Sequence, residues 1–159
     1  MVNKVQEFMK GPATLRGMHM ATVDPKGRLK IPTAFKTELE AYGPDFFVTS
    51  LDGQFAQVYP FPVWREMEEK LAALPSTHKP KRKFLDRANY FGQQVRIDAQ
   101  GRVLIPTQLR DSAAVRGEVA VIGQLDHLDV WNDERFREQQ IEGNQLTDAD
   151  LDELSKLGI

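Results

Sequence analysis

Two ten-residue blocks, "DPKGRLKIPT" at 24–33 and "DAQGRVLIPT" at 98–107, carry Asp, Gly, Arg, Ile, Pro and Thr at the same offsets. A chain that spells one pattern twice builds one local structure twice, which constrains its architecture more than its length does. The copies are 74 residues apart, and Val23/Ile97 and Phe35/Leu109 keep that spacing. Farther on, "QVYPFPVW" (57–64) aligns with "DVWNDERF" (129–136) at a spacing of 72, matching Val58 to Val130 and Tyr59 to Trp131. A two-residue deletion between the blocks accounts for the change. Two copies are too few for a solenoid, but they suit a duplicated domain whose halves pack on each other.

Each half reads as strand, turn, strand, short helix and hairpin. "HMATV" (19–23) leads into "DPKG", where Pro25 pre-sets φ for the second position of a β-turn and Asp24 and Gly27 suit its ends. "RLKIP" alternates polar and apolar residues, as a half-buried strand does, and Pro32 ends it for want of an N–H. Thr33 is then expected to cap the helix "AFKTELEAY", and Asp52-Gly53 to join "FFVTSL" to "FAQVYPF". The second half repeats this through "QQVRI", "RVLIP", a short helix near 108–113, "EVAVIGQL" and "HLDVW". Between the halves the pattern predicts a helix from Val63 to Leu74, stopped by Pro75, and a basic helix starting at Pro80. "DERFREQQIE" reads as helix, and Thr147 with Asp150 forms a capping box for an acidic helix at the end of the chain.

The chain has no Cys, which excludes disulfide staples, thiolate nucleophiles and Cys-based zinc sites and suits a reducing compartment. No stretch approaches the roughly 20 apolar residues of a membrane span, and the first ten residues show no apolar signal core. A cytoplasmic setting is expected. Net charge is −2, yet it is unevenly spread: residues 1–35 and 77–110 carry +4 and +6, while 36–76 and 111–159 carry −4 and −8. Both repeated blocks fall in the basic segments, and such asymmetry guides the choice of partner better than the total.

Among the block residues, Asp24 and Asp98 tie down their turns through the backbone, and Gly27 and Gly101 allow the conformation those turns need. Arg28 and Arg102 open two readings. Each pairs with its turn Asp as a surface bridge, or holds its guanidinium out to phosphates and base edges. Lys26 and Lys30 give the first copy three cations where Gln100 and Leu104 leave the second with one, so if the surface reads DNA the first copy is the better reader. The run "HKPKRK" (78–83) reads as a solvated helix face or a phosphate grip. Tyr59, Trp64, Trp131 and Phe136 stand at core spacing. His19, His78 and His127 are scattered, without metal-ligand spacing, and no P-loop, G-x-S-x-G or Rossmann pattern is present. Catalytic residues, cofactor and metal are therefore expected to be none, and the chain is not expected to be an enzyme.

"LRG" (15–17), "DPKGRLKIPT", "VYPFPVW", the basic helix between the repeats, "DAQGRVLIP" and "LDVW" together resemble the MraZ family of bacterial transcriptional regulators, over about residues 15 to 140. The extension before Leu15 departs from the family pattern. The resemblance implies a mainly β fold with flanking α-helices, a pseudo-twofold double AbrB-like barrel of swapped hairpins. It divides the chain into an N-terminal extension (1–14) expected to be mobile, a first SpoVT-AbrB domain (18–63), inter-repeat helices (64–91), a second such domain (92–135) and acidic C-terminal helices (136–159). It further implies binding to double-stranded DNA at repeated boxes upstream of the division and cell-wall gene cluster, as a repressor at the nucleoid. The protomers are expected to close into a homo-oligomeric ring, with no membrane and no small-molecule substrate involved. Its DNA-facing residues fall on Arg28, Lys26 and Arg16, with Lys30 and Arg102 beside them. The competing expectation is an oligomeric protein-interaction scaffold without DNA binding.

Overall fold

The computed structural model of the chain describes residues 14–159. The N-terminal extension thus lies outside the described residues, apart from Thr14. Eight strands form one antiparallel sheet, a nearly closed barrel flanked by helices. In chain order they are β1 (Met18–Val23), β2 (Arg28–Lys30), β3 (Asp45–Thr49), β4 (Ala56–Pro60), β5 (Gln93–Arg96), β6 (Arg102–Leu104), β7 (Gly117–Gly123) and β8 (Leu128–Trp131). Across the sheet the order is β5-β3-β4-β8-β7-β1-β2-β6. The edge strands β5 and β6 are consecutive in the chain, and the Asp98 N–H donates to the Arg102 carbonyl at 2.9 Å where they turn.

That order means the halves exchange hairpins. The β1–β2 hairpin of the first copy lies between β7 and β6 of the second, while β5 of the second pairs with β3 of the first. Two self-pairings mark the pseudo-twofold. In β2–β6 the register sets Leu29 against Val103, residues 74 apart. In β4–β8 it sets Gln57 against Asp129, residues 72 apart. The two repeat spacings are therefore the two ends of one axis. Leu29 and Val103 are fully buried on it, and truncating a side chain so placed costs about 2–5 kcal/mol.

The barrel is filled from both halves by Phe35, Phe46, Val48 and Val58 on one side and Ile105, Leu109, Val119 and Val130 on the other. Helix α1 (Thr33–Glu40) and its counterpart α4 (Thr107–Ala113) close the barrel with Phe35 and Leu109. Their N-caps are Pro32, in place of the expected Thr33, and Pro106, and no side chain bonds the first turn. Proline ends the strand with a fixed φ, so the first helical residue is the Thr behind it.

Helices α2 (Phe61–Ala72) and α3 (Lys79–Phe91) connect the halves. α2 starts two residues earlier than its apolar pattern predicts, with Pro62 in its first turn. α3 starts at Lys79, because His78 caps it, Nδ1 accepting from the Lys81 N–H at 3.1 Å. A second core joins these helices to the barrel, with Trp64 stacked on Phe47 and packed against Tyr59 and Phe84. Tyr59, Trp64 and Trp131 are buried as their spacing predicts, and Phe136 lies half-buried against Trp131. After β8 come a short α5 (Asp133–Phe136), a π-helical stretch Arg137–Glu142, and α6 (Asp148–Lys156) with the expected Thr147/Asp150 capping box. No described helix is long and apolar enough to cross a membrane.

Candidate nucleic-acid interface

The two Asp-x-x-Gly-Arg turns have the same construction. Asp24 Oδ1 accepts from the Lys26 and Arg28 N–H groups at 3.0 and 2.9 Å, and Asp98 Oδ1 accepts from those of Gln100 and Arg102, both at 2.9 Å. In each, the Gly N–H closes the turn on the Asp carbonyl, at 2.9 Å for Gly27 and 3.0 Å for Gly101. Both glycines have positive φ, +90° and +74°, which only glycine adopts freely. Each Asp turns its second oxygen to the Nε of its own arginine, at 2.7 Å for Arg28 and 2.8 Å for Arg102. Hydrogen bonds from Arg28, its backbone N–H foremost, hold the Asp24 carboxyl below the usual range. At Asp98 desolvation pushes the other way, but the bonds from Arg102 and Gln100 outweigh it and the shift is again downward.

Swapping sets these turns side by side. The Ile31 N–H donates to the Gly101 carbonyl at 3.0 Å, and the Ile105 N–H to the Gly27 carbonyl at 2.8 Å. What sequence spacing presents as two tips is one twin tip straddling the axis. Lys30 reaches across and bonds the Gln100 carbonyl through Nζ. Arg102 Nη1 lies 3.8 Å from Asp24 of the other copy.

The arginines differ in what remains free. Arg102 gives Nε to Asp98, Nη2 to the Gln100 side chain, and holds Nη1 near Asp24. Arg28 gives only Nε, and among the described residues its Nη groups bond nothing, while about a third of the side chain is exposed. Asp24 therefore orients the guanidinium from behind and leaves its donor fork outward. Arg28 thus makes the surface bridge and keeps its Nη groups unoccupied among the described residues, whereas those of Arg102 are held by its neighbours. The decisive residue is Gln100, which ties down Arg102 where the first copy has Lys26.

Two further cations join the tip. Arg110 and Lys36, also 74 apart, project from α4 and α1 over the opposite copy's turn. A Cβ on Gly27 would fall 1.5 Å from Arg110 Nη1, and one on Gly101 would lie 3.8 Å from Lys36 Nζ. Arg110 Nη2 donates to Thr107 Oγ1 at 2.8 Å, while its Nε is buried without a partner among the described residues. Sequence reasoning missed both, although their shared offset was the available signal. Lys26, Arg28, Lys30, Lys36, Arg102 and Arg110 thus surround Asp24 and Asp98. Arg16 is not among them. It lies beside Gly123 at the start of β1, with roughly 17 Å of strand between it and the tip.

The histidines stay apart. His19 packs edge-on against Phe35, His78 caps α3, and His127 sits in the β7–β8 turn between Asp126 and Asp129. Among the described residues no group of three or more His, Asp or Glu side chains forms a metal-holding cluster.

Comparison with known proteins gives consistent matches. A family model described as "MraZ protein, putative antitoxin-like" matches twice, over residues 14–87 and 92–155. The transcriptional regulator MraZ of Acidobacterium capsulatum is 49% identical over 145 residues, covering 91% of this chain and 99% of the relative. That of Koribacter versatilis is 47% identical over 146 residues, with the same coverage of both chains. That of Caldicellulosiruptor bescii is 34% identical over 146 residues, again covering 91% and 99%.

Proposed function

The chain belongs to the MraZ family, and from that premise we propose that it is a transcriptional regulator gripping double-stranded DNA with its twin tip. Arg28 makes the principal contact, Lys26 and Lys30 flank it on phosphates, and Lys36, Arg110 and Arg102 supply the field around it. The observation that carries this reading is the contrast between the arginines: one fork is oriented and open, the other is occupied. Asp24 and Asp98, with Gly27 and Gly101, build the tip and do not touch DNA. Arg16 stands at the far end of β1 and does not join this contact.

One tip neutralises few phosphates, and each contributes a modest, salt-sensitive term. Protomers closing into a ring set identical tips side by side, so that repeated boxes are held multivalently. That arrangement reconciles a net charge of −2 with an anionic partner. The residues 18–63 and 92–135 are the two half-domains of this unit. The promoter served is that of the division and cell-wall cluster, where occupancy represses, and the protein works at the nucleoid.

The test is an electrophoretic shift with the repeated-box upstream fragment. Arg28→Ala is expected to lose about 10- to 100-fold in affinity, the scale of charge-assisted hydrogen bonds, with an unchanged circular dichroism spectrum. Arg102→Ala is expected to lose far less. Affinity retained in Arg28→Ala, or binding indifferent to added salt, would overturn the assignment.

A further inference from the structure

Among the described residues, helix α6 has nothing to pack on. From Ile141 to Ile159 every residue is exposed except Leu154, which is half-buried. Yet α6 is built as a helix that meets something. It carries a capping box, and Leu151, Leu154 and the C-cap Leu157 recur along one side, with Leu151 48% and Leu157 72% exposed. Nine residues are too few for a helix to persist alone in water. Its four carboxylates against one lysine rule it out as a ligand for DNA or for an anionic membrane, whose surface helices are rich in Lys and Arg.

The complementary surface is on α3. That helix carries five Lys or Arg and a single Asp. Lys83, Asp86, Arg87 and Tyr90 stand at i, i+3, i+4 and i+7, so they form one stripe. With Phe91 they line an open cleft of about 420 Å³, and Tyr90 is 65% exposed there. The stripe from Lys83 to Tyr90 is about 10 Å long and α6 about 13 Å, so the two match in length as well as in charge. Among the described residues of one chain the cleft stands open and α6 stands in solvent.

We propose that α6 of one subunit docks along the α3 stripe of a second copy, its leucines against Tyr90 and Phe91 and its carboxylates against Lys83 and Arg87. The two surfaces are different, so the contact is heterologous, and repetition of it closes a ring or extends a filament. The inference rests on the oligomer reading above and names the surfaces that make it.

The chain contains no cysteine, so introduced thiols report proximity without interference. Asp86→Cys and Ser155→Cys proteins, purified separately and mixed under mild oxidation, are expected to give a covalent heterodimer at least about tenfold above either alone. Leu151→Asp with Leu154→Asp in the Ser155→Cys protein is expected to abolish that product and to lower the mass measured by light scattering. An intact wild-type oligomer that gives no cross-link overturns the contact and leaves the oligomer reading standing. A monomeric wild type overturns both. A doubly substituted chain that links only within itself assigns the cleft to its own tail, and Lys83→Ala with Arg87→Ala that weakens DNA binding at constant mass assigns it to DNA. Either result also overturns the proposal.

Discussion

Asp24 does three jobs with two oxygens. It accepts two backbone N–H groups that shape the turn, aims the Arg28 guanidinium through Nε, and offers the second copy's Arg102 a carboxylate at 3.8 Å. The glycine three residues on completes the turn, and here the copies part. Gly101 meets only ordinary contacts from lysine termini, so Gly101→Ala introduces backbone strain alone, about 1–2 kcal/mol for an L-residue in this region. Gly27 lies under the Arg110 guanidinium, so Gly27→Ala adds a displaced cation to the same strain. Gly27→Ala is therefore expected to lower the melting temperature more than Gly101→Ala and to weaken DNA binding as well. Equal effects of the two on stability, measured by thermal melts, would show that Arg110 gives way without cost.

At the scale of elements, the β7–β8 turn holds an internal titration. His127 stacks on Tyr59 at 4.4 Å, with Nδ1 2.8 Å from Asp126 and Nε2 3.3 Å from Asp129. Burial opposes the imidazolium, but the Asp129 and Asp126 carboxylates beside it prevail, so the imidazole pKa is raised above its ordinary 6.5. Desolvation first, then the same carboxylates, pushes Tyr59 up to about 12, so it stays neutral throughout. A histidine raised on folding contributes stability that is whole below about pH 6.5 and is lost as pH rises through the folded value. Wild type is thus expected to lose a few degrees of melting temperature between about pH 6 and pH 8.5 relative to His127→Gln. Parallel profiles for the two proteins would refute this. None of it was visible in the sequence, where His127 is a lone histidine. Local chemistry was legible: Asp, Gly and Pro fix the turns and strand ends, and the Thr147/Asp150 box starts α6, because those effects act within four residues. Partners set by tertiary packing were not. Lys36 and Arg110 reach the tip only because each helix packs over the other copy's turn. Arg16 misses it because proximity to β1 in sequence does not say which end of the strand carries the site.

For the molecule as a whole, hairpin exchange has a consequence for folding. β1 finds its partner β7 about a hundred residues away, and β3 finds β5 about fifty away. A first half of residues 14–91 therefore keeps β1, β2, β3 and β4 but loses every strand that covers their outer edges. Open edges of this kind seek another chain. The pseudo-twofold supplies one: Leu29 faces Val103 and Gln57 faces Asp129 in the intact barrel, so in two copies of the fragment Leu29 meets Leu29 and Gln57 meets Gln57. The fragment is expected to fold only as a symmetric dimer, with twice the fragment mass in sedimentation and a melting temperature that rises with concentration. Such a dimer would carry two Arg28 forks and no Gln100 to occupy either, so its affinity per tip for the promoter box should equal or exceed that of the full chain at low salt. A folded monomeric fragment would mean that each half closes its own sheet, and the twin tip would then be an accident of packing instead of the unit the duplication built.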